Sequence, residues 1–555
     1  MATQETLMRR IVLVIAVVRL LTMALDAAAQ SITLTPLGTY DAGVFTPDDP
    51  RISEINAFDP VGQRIYVVNP ANSRLDVINA SNPSAPTNGG TVNFVADCAA
   101  LQTSGCPVAG SEPNSVAIFG TLIGVAISNA TRTNNGHAVF YELQGAAVPR
   151  FLVSLEVGAV PDAITFTEDG KYALTANEGE PNAAYTIDPL GSVSIIEVAR
   201  IGQGGAVRQV TFERFDNPGQ RKQLELEGVR IFGPNASVSE DLEPEYIATD
   251  KNKAYVTLQE NNALAIINID DATVERVVGL GLKDHSQAGN TLDTNDNDGT
   301  ANLVNRSVFG LYQPDAIAAI PGNGRTLLIM ANEGDAREYL GSPGFVEALR
   351  VSSSSYPLDP TVFPDPTFTK SAAQVGRLNV SRSSGDLDGD GDFDRIELFG
   401  GRSVSVRDQQ GALVWDSGDM FERLAKQLDA AGTTIFNTSS SNNTRDNRSD
   451  DKAVEPESVV VGEVNGHLYA FVGLERDGGI VVLDLADPTA PSFVTYATNR
   501  TFPGSFSNCN QTTNNCGGLG PEGLTFVPAS DSPIGDALLI VSYEVSNTTT
   551  IWKIE

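Results

Sequence analysis

Apolar and polar residues alternate in short runs along most of the chain, and one local phrase introduces many of these runs. The phrase is usually an acidic or polar residue, then Pro, then Asp, Glu or Asn, and then an apolar strand. Its copies lie at 112–116, 160–164, 243–247, 313–317, 455–459 and 520–524, with a seventh copy that lacks Pro at 53–57. Alternation predicts half-buried strands, and Pro is tolerated at strand starts, so each copy predicts the beginning of a β-strand.

Each copy is followed by a turn signal and by further strand-like segments. Third strands are predicted at 75–78, 192–196, 264–267 and 480–483. Repeated units of three or four strands are typical of β-propellers. The sequence therefore predicts an all-β fold, a single seven-bladed β-propeller over residues 30–555 with loop insertions. We expect the N-terminal strand at 32–35 to close the ring. Two β-sandwiches are the alternative, which the single repeated phrase disfavours.

The spacing between copies shows where the chain departs from the repeat. Pro314 and Pro456 lie 142 residues apart, whereas a bare blade needs about 40–50 residues. We therefore expect an insertion at about 335–450. Helical spacing of apolar residues predicts one helix at 419–428, and we expect a second short helix at 219–227.

The composition is strongly acidic, with 69 Asp and Glu against 37 Lys and Arg and a formal net charge of −32. Binding to nucleic acid needs clustered Lys and Arg, so no nucleic-acid partner is expected and divalent cations are favoured instead. Only three His are present, which disfavours a multi-His zinc site. The nucleophile motif G-x-S-x-G and the metalloprotease motif H-E-x-x-H are absent from the sequence.

The N-terminus has the pattern of an export signal. Arg9 and Arg10 precede an apolar run at 11–18, and small residues at 27–29 offer a cleavage site. We expect residues 1–29 to be removed as a signal peptide, which leaves no membrane span and a soluble protein that is secreted or periplasmic/extracellular. An uncleaved anchor is the alternative, but Arg19 and Asp26 leave too short an apolar span.

The four cysteines form two close pairs in the sequence. Cys98 and Cys106 are one pair, and Cys509 and Cys516 are the other. Four cysteines permit three connectivities. We expect local pairing within each pair, with each disulfide pinning a surface loop.

The strongest local motif is a twelve-residue acidic segment that fits the EF-hand loop pattern D-x-[DN]-x-[DN]-G-x5-E. Its candidate calcium ligands are Asp386, Asp388, Asp390, Asp392, Asp394 and Glu397. Gly391 occupies the position that needs a sharp turn. Six carboxylates this close together repel one another unless a divalent cation neutralises them. The segment around Glu397 predicts a strand, so we expect a calcium loop in a β context with a structural role. A solvated acidic turn is the alternative.

A weaker acidic segment lies upstream of this loop. Asp293, Asn295 and Asn297 resemble the start of a calcium loop, but Asp298 stands where Gly is wanted and the closing Glu is missing. A calcium site and a plain turn built by Asp and Asn side chains are both open interpretations.

Two sets of charged residues are expected to meet at one edge of the sheets. The first set follows the strand-start phrase and comprises Glu54, Asp162, Glu245, Asp315, Glu457 and Glu522; the second set ends the second strands and includes Glu178, Glu333 and Glu475. The start of one strand and the end of its antiparallel neighbour share an edge, so both sets should ring one mouth of a central channel. Arg337, Lys452 and Arg476 fall at the same places and could bind an anion beside a metal. The alternative is that the acids are solvated.

Several of these segments resemble one protein family, the choice-of-anchor I domain family, which includes the mesenchyme-specific cell surface glycoproteins. The stretches that carry the resemblance lie at 176–181, 230–234, 241–247, 331–337, 400–403, 449–452, 519–524 and 542–546. The resemblance implies an extracellular or envelope-facing propeller. Some relatives in the family are labelled alkaline phosphatase, which implies no particular catalytic residue in this chain.

Two functional hypotheses follow from these observations. The first is a secreted calcium-binding β-propeller that acts in adhesion or in binding extracellular matrix or mineral. The second is a metal-dependent phosphomonoesterase, with calcium or another divalent metal bound at the acidic mouth and a phosphate-containing substrate. Its candidate catalytic residues are Glu178, Glu333, Arg337, Lys452 and Glu475. Whether the protein is an enzyme stays open, and a scaffold with structural calcium alone is a third interpretation.

Overall fold

The computed structural model describes residues 32–43, 52–102, 104–145, 147–203, 206–322, 324–502 and 516–555. The predicted signal peptide, residues 1–29, and Cys509 lie outside this part of the chain. Strands far outnumber helices in the described residues, which confirms the predicted all-β class.

The first half of the chain builds four antiparallel sheets of four consecutive strands each. Strand β1 (Leu34–Asp41) precedes them. The four sheets are β2 (Asn56–Asp59), β3 (Arg64–Asn69), β4 (Arg74–Asn79) and β5 (Thr87–Val92); β6 (Glu112–Phe119), β7 (Leu122–Ser128), β8 (Asn135–Gln144) and β9 (Ala147–Ala159); β10 (Pro161–Phe166), β11 (Tyr172–Asn177), β12 (Ser192–Glu197) and β13 (Val207–Thr211); and β14 (Pro244–Asp250), β15 (Lys253–Leu258), β16 (Ala263–Asn268) and β17 (Thr273–Gly279).

The second half adds three more four-stranded sheets, one of which is interrupted. The strands of this half of the chain, in order, are β18 (Leu282–Asp284), β19 (Phe309–Leu311), β20 (Ile317–Ile320), β21 (Leu327–Asn332), β22 (Glu338–Tyr339), β23 (Phe345–Val346), β24 (Ala348–Arg350), β25 (Asn379–Ser381), β26 (Glu397–Leu398), β27 (Ser403–Asp408), β28 (Leu413–Asp416), β29 (Pro456–Val464), β30 (His467–Leu474), β31 (Gly479–Asp484), β32 (Ser492–Thr498), β33 (Pro521–Val527), β34 (Leu538–Tyr543) and β35 (Thr548–Ile554). Strands β20, β21, β27 and β28 form one sheet, and β29 to β32 form the next. The last sheet has the order β1-β35-β34-β33.

The last sheet joins the two ends of the described chain. Leu34 pairs with Ile554 and Asp41 pairs with Thr548 in an antiparallel ladder. The N-terminal strand therefore supplies the fourth strand of a sheet whose other three strands come from the C-terminal end, as the sequence predicts.

The first strands of the seven four-stranded sheets lie side by side. Strands β2, β6, β10, β14, β20, β29 and β33 each contact the next, and β33 contacts β2. Each sheet is covered by a neighbour on both faces, so most residues of its middle strands are buried on both sides. Leu174 and Val193 of the third sheet pack with Val256 and Ala265 of the fourth, for example. The described fold is therefore propeller-like, with its core between neighbouring sheets.

The chain between β21 and β27 forms an inserted lobe outside this repeat. It contributes three strands to a five-stranded sheet with the order β18-β19-β26-β25-β24, and a hairpin of β22 and β23. The insertion expected at about 335–450 is therefore divided, because β27 and β28 return to the fifth four-stranded sheet before a helical segment follows.

Helices are short and lie between the strands. They are α1 (Phe94–Leu101), α2 (Pro218–Leu226), α3 (Val238–Asp241), α4 (Pro366–Thr369) and α5 (Met420–Ala430), with 3-10 turns at Pro70–Asn72, Val198–Gln203 and Glu213–Asp216. Helices α2 and α5 confirm the two helices expected at 219–227 and 419–428. No helix in the described ranges combines the length and the apolar character of a membrane span.

One predicted disulfide lies within the described residues. Cys98, on α1, is bonded to Cys106, and Cys98 is fully buried. The pair formed with Cys509 falls outside those residues and stays a prediction.

Candidate functional site

The phrase that starts the first strands forms a β-bulge. In β10, Pro161 pairs with Asn177 and Ala163 pairs with Ala176, so Asp162 is the extra residue. Strands β6, β14, β29 and β33 shift register at the same place. A bulge leaves its extra residue outside the ladder and redirects that side chain. The Pro–acid step is therefore the local device that directs these carboxylates away from the faces of the sheets.

The residue before the Pro carries backbone strain in several copies. Val160, Gln313 and Glu455 have φ angles of 46°, 42° and 52°. This left-handed region is unfavourable for residues with a Cβ, and most of all for a β-branched residue such as Val160. Such a conformation persists only where the surrounding structure imposes it, and here it recurs at the edge that carries the acidic residues.

Both predicted sets of charged residues surround one cavity of about 370 Å³, which we call the axial cavity. The carboxylates that line it are Glu54, Asp162, Glu178, Glu180, Glu245, Glu260, Asp315, Glu333, Asp335, Glu457, Glu475, Glu522 and Glu544, and the cationic residues are Arg132, Lys452 and Arg476. Thirteen carboxylates in a confined space cannot all stay ionised against three cations unless further cations or protons bind. The axial cavity is therefore built to take up positive charge.

Burial raises the pKa of many of these carboxyl groups. It raises the pKa of Glu333 to about 7, and the pKa of Glu260 also to about 7. Burial raises the pKa of Glu457 and of Glu475 well above the usual range, and the Glu333 carboxylate adds repulsion in both cases. Protons and divalent cations compete for groups of this kind. Burial therefore disfavours the ionised form of these carboxyl groups, and a bound cation would favour it.

One group in the axial cavity has the geometry of a cation site. Glu333, Glu457 and Glu475 each place one carboxylate oxygen within 4.8 Å of the other two. Glu333 is 8% exposed and Glu475 is 5% exposed, and Oε2 of Glu457 is buried without a hydrogen-bond partner. Converging carboxylate oxygens are the ligands that Ca²⁺ prefers. The sequence names Glu333 and Glu475 as catalytic candidates but places Glu457 only in the strand-start set, because Glu457 follows Pro456 in the repeated phrase.

Lys452 and Arg476 lie at the edge of this acidic group. The Lys452 ammonium contacts the Glu333 carboxylate and lies 3.1 Å from Oε2 of Glu455. Nε of Arg476 donates to the same Glu455 oxygen at 3.0 Å. Burial alone would raise the pKa of Glu455, but Arg476, Lys452 and Arg448 outweigh it and hold that pKa well below its usual range. The three cations are therefore organised around one fully buried carboxylate.

Glu178 lines a different part of the axial cavity. It lies on the third sheet, and its Oε2 is 3.9 Å from Nη2 of Arg132, which also pairs with Glu180. Burial raises the pKa of Glu178 well above the usual range, with added repulsion from Glu180 and Asp162. Glu178 shares the cavity with Glu333, Lys452 and Glu475 but is not part of the converging group.

Arg337 lies outside the lining of the axial cavity. Its side chain is fully buried and pairs with Asp241 at 2.6 Å and with Glu243 at 3.0 Å. Its Nη2 also donates to the backbone oxygen of Asp241 at 2.7 Å, and its guanidinium lies 4.6 Å from the ring centre of Phe232. These contacts occupy its donors, so Arg337 links the inserted lobe to the fourth sheet rather than offering a free anion site.

The predicted calcium loop forms a compact turn on the inserted lobe. Asp386, Asp388 and Asp394 each place one oxygen within 4.8 Å of the others. Asp386 also accepts backbone hydrogen bonds from Gly389 at 2.7 Å and Gly391 at 3.0 Å. The φ angle of Gly391 is 101°, the turn expected of the sixth loop position. Asp390 and Asp392 lie in the same turn, where the Asp392 N–H donates to Oδ1 of Asp390 at 3.1 Å.

Glu397, the closing residue of the motif, lies on strand β26 as predicted for that segment. Its side chain is almost fully buried, and its Oε1 accepts from Nε of Arg395 at 2.6 Å. Its Oε2 accepts from the Ser384 hydroxyl at 2.6 Å. The structure thus brings three of the six predicted ligands together and pairs Glu397 with other partners.

The weaker acidic segment consists of consecutive turns. Oδ1 of Asp293 accepts from the Asn295 N–H and Oδ1 of Asn295 accepts from the Asn297 N–H, both at 3.1 Å. Oδ2 of Asp293 accepts from the Asn302 N–H at 2.6 Å. These side-chain oxygens accept hydrogen bonds from backbone N–H groups. Within the described ranges the segment joins no group of converging carboxylates. The geometry is that of the turn alternative.

Comparison with known proteins places this geometry in context. A family model described as the choice-of-anchor I domain matches residues 54–488. Gigasin-3a of Magallana gigas is 29% identical over 193 residues, which cover 33% of this chain and 65% of Gigasin-3a. The mesenchyme-specific cell surface glycoprotein of Strongylocentrotus purpuratus is 27% identical over 322 residues, which cover 50% of this chain and 40% of the relative. The chain therefore spans less than two thirds of either relative.

Solved structures align over most of the chain at low similarity. Kuenenia stuttgartiensis hydrazine synthase aligns with a TM-score of 0.43 and 12% identity, covering 93% of this chain and 99% of that one. The WD40 domain of Toxoplasma gondii coronin aligns with a TM-score of 0.42 and 7% identity, covering 95% and 86%. TM-scores below 0.5 establish neither the fold nor the function of this protein.

Proposed function

The chain belongs to the choice-of-anchor I domain family, and from that premise we propose that it is an extracellular or surface β-propeller that binds divalent cations, calcium first. We infer that its seven four-stranded sheets are seven blades and that β1 closes the ring. The contacts of β33 with β2 and the pairing of β1 with β35 support this. The name of the sea-urchin relative, a cell surface glycoprotein, supports the location, and so does the export signal predicted at 1–29.

The observation that carries this proposal is the convergence of Glu333, Glu457 and Glu475 within 4.8 Å inside a cavity lined by thirteen carboxylates. Bringing so many negative charges together is unfavourable unless cations neutralise them. A Ca²⁺ ion is coordinated by carboxylate oxygens at about 2.3–2.6 Å, which three converging side chains can supply. Through the bound ion the protein would bind anionic matrix or mineral ligands.

The Asp386 loop is the second cation site of the proposal. Asp386, Asp388 and Asp394 would supply carboxylate oxygens, and Asp390 and Asp392 lie in the same turn. Since Glu397 pairs with Arg395 and Ser384, it would have to leave both to complete an EF-hand arrangement. We therefore assign this site a structural role in ordering the inserted lobe.

Calcium titration of the mature chain, residues 30–555, tests both sites by calorimetry after chelation. We expect Glu457→Gln to remove binding in the axial cavity and Asp388→Asn to remove binding in the loop. Glu463→Gln is the matched control, because Glu463 lies on the same strand as Glu457 but is exposed. If Glu457→Gln binds calcium in the same amount and as tightly as the unaltered chain, the axial site is wrong.

A metal-dependent phosphomonoesterase is the second candidate, because Lys452 and Arg476 lie beside the converging carboxylates. Of its five predicted residues, Glu333, Lys452 and Glu475 meet, whereas Glu178 and Arg337 lie apart from them. Turnover of an aryl phosphate tests it. Activity that disappears on chelation, returns with calcium and fails in Glu333→Gln would establish an enzyme. Absence of turnover in calcium-loaded protein would leave the binding function alone.

A further inference from the structure

A second cavity of about 470 Å³, which we call the vestibule, adjoins the axial cavity. The two cavities share the lining residues Glu180, Glu260, Asp335, Lys452 and Arg476. Their charge balance differs, because the vestibule also contains Arg337 and Arg448 and so places four cationic side chains against five carboxylates. The axial cavity is therefore strongly acidic, whereas in the vestibule four cationic side chains nearly balance the carboxylates and give part of its wall a positive character.

Two arginines of the vestibule keep free donors. Nε and Nη2 of Arg448 bind Glu455, and Nη2 also lies 2.9 Å from Asp451. Nε of Arg476 binds Glu455, and its Nη1 binds Ser440 and Glu475. Among the described residues, Nη1 of Arg448 and Nη2 of Arg476 have no hydrogen-bond partner. Because Glu455 binds both guanidinium groups, it holds two arginines that line the same cavity, each with one free terminal NH2 group.

A cation in the axial cavity would strengthen this positive character. Nη1 of Arg476 lies 2.7 Å from Oε1 of Glu475, and Lys452 contacts Glu333. A divalent ion that coordinates Glu333 and Glu475 would compete for the same carboxylate charge. Arg476 and Lys452 would then be less completely neutralised, and they line the vestibule as well.

We propose that the vestibule is an oxyanion subsite, in which Arg448 and Arg476 bind a phosphate or carboxylate group of a ligand whose counter-cation is held by Glu333, Glu457 and Glu475. The inference rests on the proposed function and names its ligand class. Arginine pairs suit such groups, because each guanidinium offers donors in a planar fork that matches their oxygens. Cation and anion bind cooperatively, and each raises the affinity for the other by the same factor.

Calorimetric titration of residues 30–555 with inorganic phosphate, and separately with acetate, tests the subsite. Each titration is run with saturating calcium, below the solubility limit of calcium phosphate, and again after chelation. We expect at least about fivefold tighter anion binding with calcium. We expect Arg448→Gln and Arg476→Gln to weaken it at least about tenfold. Arg423→Gln is the control, because Arg423 is an exposed arginine on α5. The arm that binds more tightly distinguishes a phosphate ligand from a carboxylate ligand.

Arg448→Lys keeps a positive charge beside Glu455 but removes the planar set of guanidinium donors. This variant tests the oxyanion subsite if Arg448→Gln does not fold. Weaker anion binding with unchanged calcium affinity in this variant supports the subsite. Anion binding equal to that of the unaltered chain in every variant, or no anion binding at all, overturns it. Normal calcium binding without anion binding refutes the subsite but not the proposed cation site. Anion binding to Arg448 and Arg476 that is unchanged by calcium and by Glu457→Gln overturns the coupling between anion and cation, whereas the calcium titration of Glu457→Gln alone decides the cation site.

Discussion

The axial cavity and the Asp386 loop are both acidic, but they are assembled in opposite ways. The loop gathers Asp386, Asp388 and Asp394 from nine consecutive residues on the surface of the inserted lobe, and Asp388 is exposed. The axial cavity gathers its carboxylates from six of the seven four-stranded sheets, and Glu333 and Glu475 are more than nine-tenths buried. In the loop, water can solvate the acids when no ion is bound. In the cavity, burial forces the acids to bind protons or cations, so its charge state is coupled to stability.

The largest expected contrast comes from removing a buried carboxylate. Glu455→Gln would leave Arg448, Lys452 and Arg476 without the carboxylate they surround, so we expect the free energy of unfolding to fall by about 3–5 kcal/mol. Asp388→Asn in the exposed loop, measured in chelator, should change it by less than about 0.5 kcal/mol. Urea unfolding measures both. Equal losses in the two variants would contradict the difference between the regions.

The second expected effect is a pH dependence of the free energy of unfolding that arises in the axial cavity. Burial raises the pKa of Glu333 from 4.5 to about 7, so the folded state binds more protons than the unfolded state. In chelator the free energy of unfolding should therefore fall as pH rises from about 4.5 to about 7, by on the order of 3 kcal/mol for this group.

Urea unfolding at pH 5 and pH 8 measures this effect. Calcium should reverse the loss at pH 8, and Glu333→Gln should flatten the profile. Greater stability of the calcium-free chain at pH 8 than at pH 5 would show that the carboxylates of the axial cavity ionise without cost.

A smaller and more local effect is expected in the loop. At a calcium concentration of about one hundred times Kd, binding stabilises a site by about 2.7 kcal/mol. We expect calcium to slow amide hydrogen exchange at 383–399, and Asp386→Asn to abolish that slowing while protection of β29 and β30 still responds to calcium. Slowing at 383–399 that survives in Asp386→Asn would contradict a calcium site in the loop.

The smallest effect on calcium binding is expected at Asp293. Asp293→Asn keeps the Oδ1 acceptor of the Asn295 N–H but loses the Oδ2 acceptor of the Asn302 N–H, so the free energy of unfolding should fall by about 1–3 kcal/mol. The amount of calcium bound should not change. Loss of one bound calcium per chain would establish this segment as a third cation site.

Features that depend on local sequence were predictable. The strand-start phrase gives each first strand its position, and helix α5 follows from the spacing of its apolar residues. The bulge itself was missed, although Pro followed by an acidic residue at a strand start is the signal for it. The pairing of Arg337 with Asp241 and Glu243 could not be predicted, because the partners lie 96 and 94 residues away and the sequence contains many other acidic residues.

The repeated strands and the Asp386 loop follow from the amino-acid sequence alone, because each depends on neighbours within a few residues, and the acidic balance follows from the composition. The convergence of Glu333, Glu457 and Glu475 and the binding of Arg448 and Arg476 to the same Glu455 side chain depend on the tertiary structure. The inserted lobe separates Glu333 from Glu457 and Glu475 along the chain. Burial is a property of the assembled sheets, and burial is what turns a set of ordinary carboxylates into groups with raised pKa values and a need for cations.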